Sequence, residues 1–439
     1  IFACCIFLSL YICFGKFFVF YLFFGLLFFR LAFLKFGIDG LSVFICQALV
    51  LFATGLTNEI NFGPFFSHAL SFFAISGFIY FTRRYFLEQA IWLFYVACIF
   101  LGFILIIRQI NIIVLLFLPF IAGNWEILKT GFINLFQPFY RFVIGVFIIF
   151  LIGLFQVYFW YQQTGDFIVY SYGSEVFFFQ YPHIIESLFS YRRSLFVYAP
   201  ITIVSLLGAI HLLYKKEYYM LISWFSAFYI FVYVISSWWD WTYGASYGQR
   251  VFIEYYPFIF LMIGFFLLQL RIWAKVVFLI IGIFAIYVNV IQVYQWNNYI
   301  LDWHSMTKNE YWRVFLKTED KYKGLLMQLP DNPEDLVKIS EFELPQIDLP
   351  HGQEVLVGEY TDSIATDRIQ FICLEFESNF NAKSNAEIVV IVDEESTKKN
   401  LFWAKRHFIH FAKWDFNHFH KGYFMFGLDL PESNSPRTF

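Results

Sequence analysis

Over the first 295 residues, apolar positions run together in long stretches broken only by charged or turn residues. A bilayer core about 30 Å thick takes roughly 20 apolar residues of helix. The stretches therefore predict about eleven membrane helices, at approximately 1–14, 17–35, 40–57, 64–82, 90–107, 109–124, 139–160, 195–214, 218–237, 252–270 and 274–295. The boundary at Gly15-Lys16 is the weakest, since one long helix could replace the first two. Trp125 to Pro138 reads as a short amphipathic helix lying in the interface. Beyond residue 295 the pattern changes twice. Residues 296–340 mix polar and aromatic positions, as in Asp302-Trp303-His304-Ser305-Met306 and Tyr311-Trp312, and predict a connecting segment of short helices packed on the membrane part. From Glu341, alternating runs such as Glu354-Val355-Leu356-Val357, Ile369 to Phe376 and Glu387 to Val392, separated by polar turns, predict an antiparallel β-sandwich over 341–439. The fold class expected is a polytopic α-helical membrane protein with a C-terminal extracytoplasmic β-sandwich domain. That domain could bind sugar or brace the membrane part.

Composition sharpens this picture. Of 439 residues, 60% are apolar, only 14% are charged and 64 are Phe, whereas ordinary soluble domains are about a quarter charged. Disorder and a disulfide-knotted scaffold are excluded, and the pI of about 6.3 gives no reason to expect a nucleic acid partner. The six Cys lack metal-ligand or disulfide spacing and read as small buried apolar residues. The chain opens inside an apolar run without an initiator Met and reads as truncated at its N-terminus, with the break after Pro436 removing a strand at the other end.

Charge placement predicts orientation, because Lys and Arg beside helix ends favour the cytoplasm. If the third run exits outward near Thr57, then Arg30, Lys35, Arg83, Arg84, Lys129, Arg141, Lys215, Lys216, Arg271 and Lys275 fall inside. Lys16, Arg108, Arg192, Arg193 and Arg250 fall outside. This sends the acidic C-terminal part outward and predicts a multi-pass membrane protein whose C-terminal domain lies on the outer face.

Ionisable groups at a membrane edge are costly and so are candidate sites. Three clusters lie on the expected outer face. Asn58-Glu59 and Ser67-His68 bracket the turn at Gly63-Pro64; His68 could contact a phosphate or hydroxyl, or be an ordinary interfacial residue. Arg108-Gln109-Ile110-Asn111 forms a tight hairpin in which the planar fork of Arg108 suits phosphate oxygens; the plain alternative is snorkelling to headgroups. The third cluster joins the loop from Tyr161 to Ser194, which contains Tyr170 and closes with Arg192-Arg193, to Ser237-Trp238-Trp239-Asp240-Trp241-Thr242-Tyr243-Gly244-Ala245-Ser246-Tyr247-Gly248-Gln249-Arg250. An interfacial aromatic belt accounts for the three Trp but not for Asp240, Gly244, Gly248 or Arg250.

Five segments in order, Ser67-His68-Ala69-Leu70-Ser71-Phe72-Phe73, Ile106 to Asn111, Phe167 to Gly173, Tyr191 to Pro200 and the Trp-rich stretch ending at Arg250, resemble motifs of bacterial GT-C-type integral membrane glycosyltransferases. These are relatives of the protein mannosyltransferase and lipid A aminoarabinose transferase group, in a form common in Bacteroidetes. The resemblance covers about 60–310. It implies a bacterial inner-membrane protein with a periplasmic C-terminal domain, and transfer of a sugar from a polyprenyl-phosphate carrier to a glycan, lipid or protein acceptor on the extracytoplasmic face, by an inverting displacement with little or no dependence on a divalent metal. His68, Arg108, Asn111, Tyr170, Arg192, Arg193, Asp240 and Arg250 become the substrate and phosphate-binding candidates, with no cofactor beyond the donor lipid. The family's catalytic acidic residue lies in its first outer loop, which falls upstream of this chain, so no residue inherits that role. A transporter or flippase of lipid-linked sugar, or a non-catalytic membrane assembly protein, is the alternative class.

Overall fold

A computed structural model describes residues 2–62, 67–169, 175–244, 246–303, 306–323 and 326, and beyond these the segments 361–362, 371–379, 387–394, 399–407, 419–427 and 437–438. The chain divides at Lys323/Gly324 into two compact units.

The first unit is helical. Its first helix, α1 (Phe2–Lys35), runs without a break at Gly15, so one long helix replaces the two predicted there. Asp39 then caps α2 (Gly40–Phe52), its carboxylate accepting from the Ser42 N–H at 3.1 Å. The predicted 40–57 run is broken around Ala53-Thr54-Gly55, and short α3 (Leu56–Phe62) follows. Next come α4 (His68–Glu88) and α5 (Ile91–Ile107). The 109–124 run is a 3-10 segment, Gln109–Phe117, leading into α6 (Leu118–Ala122). At Gly123, whose φ of +91° suits glycine, the chain bends by 119° into α7 (Trp125–Phe136), capped by Asn124. This helix buries Leu128, Gly131 and Leu135 and exposes Trp125, Phe132, Ile133 and Phe136.

The remaining helices are α8 (Tyr140–Thr164), α9 (Ile184–Phe189), α10 (Leu195–Tyr198), α11 (Ser205–Tyr214), α12 (Tyr218–Ser236), α13 (Tyr256–Gln269), α14 (Ile272–Asn297) and α15 (Lys308–Val314). A capping box between Thr307 and Glu310 starts α15, within the predicted connecting segment. Four helices among the described residues are long and apolar enough to cross a membrane, or five if the bent pair is one span. That is fewer than the eleven predicted. Composition does not reveal where an apolar run breaks: α2, α5 and the segment Pro200–Tyr214 are apolar but short.

Packing separates core from periphery. The span Arg250–Gln269 has 89% of its apolar window buried, while α8 has 6%. Thus α13 is the central helix, and α8 presents Phe147, Phe150 and Phe155 outward. The abundant Phe serves the interior as well: Phe28, Phe73, Phe81 and Phe100 interlock between α1, α4 and α5 at centroid distances of 5.3–5.8 Å. At Gly208, α11 lies so close to α13 that an added Cβ would fall 2.2 Å from the Met262 carbonyl oxygen. Small residues permit such approach between apolar helices.

The second unit contains strands β1 (Thr361–Asp362), β2 (Phe371–Asn379), β3 (Glu387–Glu394), β4 (Lys399–His407), β5 (Phe419–Gly427) and β6 (Arg437–Thr438). All pairings are antiparallel: β2 pairs with β5, and β1, β6, β3 and β4 form one sheet in that order. The predicted alternating runs at 369–376 and 387–392 fall largely on β2 and β3. The run at 354–357 lies outside the described residues, and a packed sandwich is not shown.

Candidate functional site

Glu254 organises the polar interior of the helical unit. It belongs to the 3-10 turn Arg250–Tyr255 that leads into α13, and it is 1% exposed. Turn and helix are contiguous, so entering the core at Val251 carries this carboxylate in with the apolar residues around it. Two candidates from distant parts of the chain meet it. His68, the first residue of α4, places Nδ1 2.7 Å from Glu254 Oε1. Arg108, in extended backbone where α5 ends, donates from Nη1 to the same oxygen at 2.5 Å and lies 3.4 Å from His68 Nδ1. Tyr243 carries its ring 6.0 Å from the Arg108 guanidinium. Asn111 is also brought to α4, its Nδ2 3.4 Å from Ser71 Oγ, one turn beyond His68.

Arg250 opens the turn that holds Glu254. It feels the charges of Glu59, Asp240 and Glu254, and that of Arg108 in repulsion. Asp240 is fixed by local hydrogen bonds: Oδ2 accepts from Gly244 N–H at 2.7 Å, and Oδ1 accepts from Thr242 N–H at 3.1 Å and from the Thr242 hydroxyl. Gly244 has φ +70°, which lets the turn close around the carboxylate. Gly248, at φ +64°, stands where a Cβ would come 2.8 Å from Tyr198 Cβ. It lines a small cleft with Ser194, Tyr198, Tyr247 and Gln249.

The arginine pair divides. Arg192 lies 6.0 Å from the ring of Trp241. Arg193 is buried, with Nε and Nη2 unpartnered, in the field of Asp240 and Asp302. Burial, with like-charged Arg192 nearby, lowers its proton affinity to about 10, so it stays cationic at neutral pH. The structure thus joins His68, Arg108 and, through shared electrostatic neighbours, Arg250, Asp240 and Arg193. Asn111 stands on the flank, Arg192 is on the Trp241 side, and Tyr170 lies outside the described residues.

Sequence reasoning missed Glu254 as a site residue. Its signal was a lone carboxylate at the head of the apolar run 252–270, absorbed there into a membrane helix. Glu59 was visible beside the turn but had no assigned role. It is buried, Oε2 has no partner, and burial raises its proton affinity to about 7 against the opposing pull of Arg250. Arg108, Arg193 and Arg250 stand in the field of Glu59, Asp240, Glu254 and Asp302. Among the described residues, no group of three or more His, Cys, Asp or Glu could hold a metal.

No protein-family model, no curated protein and no solved structure matches this chain.

Proposed function

We propose that the chain belongs to a membrane enzyme that moves a sugar from a polyprenyl-phosphate carrier to a glycan, lipid or protein acceptor on the extracytoplasmic face of the membrane. The observation that carries this reading is the buried Arg193, whose Nε and Nη2 have no partner, in a constellation that also holds Arg250 and Arg108. A buried guanidinium with unused donors is costly, and a phosphate oxygen is the acceptor its planar fork suits. Apolar helices around the constellation would keep the prenyl chain in lipid while the headgroup meets the arginines. The ordered motifs of the glycosyltransferase resemblance point to the same donor class.

Photo-crosslinking tests this in nanodiscs containing a diazirine-bearing polyprenyl phosphate. Capture near Arg108, Arg193 or Arg250, competed by a polyprenyl-phosphate sugar, is expected, together with release of sugar from the carrier by the full-length protein. Absence of capture overturns the reading. One observation favours a transporter of the same lipid instead: the 119° break between Gln109–Ala122 and Trp125–Phe136 is the kind of interrupted apolar helix that transporters use. Proteoliposomes separate the two, because a transporter moves the lipid-linked sugar across the bilayer with its glycosidic bond intact.

A further inference from the structure

Four arginines and four carboxylates share the constellation, so its formal charge is close to balanced when every group is ionised. An anion brought into such a set is repelled by the carboxylates already present, and the repulsion grows as the local dielectric falls. Seating an anion there calls for the loss of one negative charge. The carboxylates are unequally partnered. Glu254 Oε1 has both Arg108 and His68 on it. Asp240 accepts two backbone N–H bonds and a hydroxyl. Asp302 bears on Arg193. Glu59, fully within the protein, leaves Oε2 without a partner.

We propose that the site takes up one proton with each phosphodiester headgroup it binds, and that Glu59 is the residue protonated, releasing Arg250 to the incoming phosphate. This rests on the lipid-phosphate reading above and adds the residue that makes room for the charge. The reaction balances as site plus monoanion plus one proton giving the neutralised complex.

Among the described residues, Arg250 is the charged group whose field Glu59 feels. From α13, Tyr256 feels its charge. On one side α2 carries no Asp, Glu, Lys, Arg or His. On the other, α4 begins with His68, which is engaged by Glu254. Its near-neutral proton affinity follows from burial outweighing the attraction of Arg250. Above about pH 7 the empty site holds Glu59 ionised, so binding a monoanion must import a proton, and affinity should fall about tenfold per pH unit. Well below pH 7 the proton is already present and the dependence should vanish.

The experiment is calorimetric binding to the chain in phosphatidylcholine nanodiscs, in buffers of different ionisation enthalpy, which counts protons directly. Farnesyl methyl phosphate is the lipid probe and dimethyl phosphate the lipid-free one. A diester is used because the second ionisation of a monoester near pH ~6 would take up protons itself. We expect the lipid probe to bind at about pH 8 with close to one proton taken up, and with almost none at about pH 5.5. Glu59→Gln should abolish the uptake and flatten the pH dependence. Equal binding of dimethyl phosphate would assign recognition to the headgroup alone, with the proton count unchanged; binding of the lipid probe only would make the prenyl chain part of the site. Binding without proton uptake, or uptake that persists in Glu59→Gln, overturns the assignment while leaving the lipid-phosphate reading standing. No binding of either probe overturns both. If the variant does not fold, the proton count of the unaltered chain decides alone.

Discussion

His68 and Glu254, 186 positions apart, meet at 2.7 Å inside the helical unit, and Arg108 shares the same carboxylate oxygen. A hydrogen-bonded ionic group of this kind ties the start of α4 and the end of α5 to the entry of the central helix. Its value lies in completeness: removing one partner leaves the others buried and uncompensated.

Glu254→Gln should therefore cost more than a surface substitution. The amide keeps the shape but removes the charge opposite Arg108, and the expected destabilisation is about 3 kcal/mol. Thermal unfolding in detergent would register it as a clear drop in Tm. His68→Ala combined with Glu254→Gln should lose less than the sum of the single changes, since the two act through one contact. Additive losses would show that the contact contributes nothing.

A second ionic tie is exposed to acid. Asp39 is disfavoured as a carboxylate by burial, yet hydrogen bonds from Lys275 and Ser42 outweigh this and hold it at about 2. Because the folded value lies below the ordinary one, its stabilisation is present above pH ~4 and is lost as pH falls through about 2. Asp39→Ala removes both the cap of α2 and the partner of Lys275, whose Nζ lies 2.6 Å from Asp39 Oδ2. The loss of the cap alone is about 1 kcal/mol. Unfolding followed between neutral and acid pH should show the difference between the two proteins shrinking as Asp39 protonates.

Gly208 offers a test of helix packing independent of charge. A methyl group there meets the Met262 carbonyl oxygen, part of the backbone, so α11 and α13 must separate. Gly208→Ala is expected to destabilise by about 1–3 kcal/mol. In contrast, Gly153→Ala on the outward α8 meets nothing within 4 Å and should unfold at or above the temperature of the unaltered chain. Equal melting of the two variants would contradict the close approach.

These contacts mark how far the sequence could be read. Apolar runs located most of the helices, because continuous hydrophobicity is a local property. The break around Ala53-Thr54-Gly55 was not legible, since it carries no proline or run of charge, and the 3-10 entry at Arg250–Tyr255 was read as continuous helix although Pro257 stands at the start of α13. His68, Arg108 and Asp240 stood out because polar groups are conspicuous beside apolar stretches. Glu254 did not, because a carboxylate at the head of an apolar run looks the same whether it faces headgroups or an arginine and a histidine from elsewhere in the chain. The approach of Arg108, Arg193 and Arg250 to these carboxylates depends on tertiary structure, which no local spacing reports.

Orientation in the membrane is open to direct labelling. Ile168 is 82% exposed, and Tyr299 and Lys215 are also exposed. With a single Cys placed at each in turn, and with the short apolar segment Pro200–Tyr214 completing a crossing, an impermeant maleimide added to intact cells should reach positions 168 and 299 and leave 215 protected until the membrane is opened. The asymmetry follows from ten Lys and Arg on the expected inner side against five on the outer. Labelling of 215 with protection of the other two would invert the topology and place the arginine constellation on the cytoplasmic face.

Arg250→Lys distinguishes a phosphate clamp from a simple countercharge. Lysine preserves the positive charge beside Glu59 and Glu254, so stability should change little, within about 1 kcal/mol. A point charge on a flexible stem cannot offer two parallel N–H donors to one phosphate, and each lost charge-assisted hydrogen bond is worth about 1.5–3 kcal/mol. Affinity for a polyprenyl phosphate in nanodiscs should accordingly fall at least tenfold, and sugar release by the full-length protein should fall with it. Since Arg250 also answers Glu59, the same variant should leave the Tm at pH 8 and at pH 6 nearly as far apart as in the unaltered chain, because the compensating charge remains. Normal lipid affinity together with an unchanged melting profile would return Arg250 to the role of an interfacial countercharge.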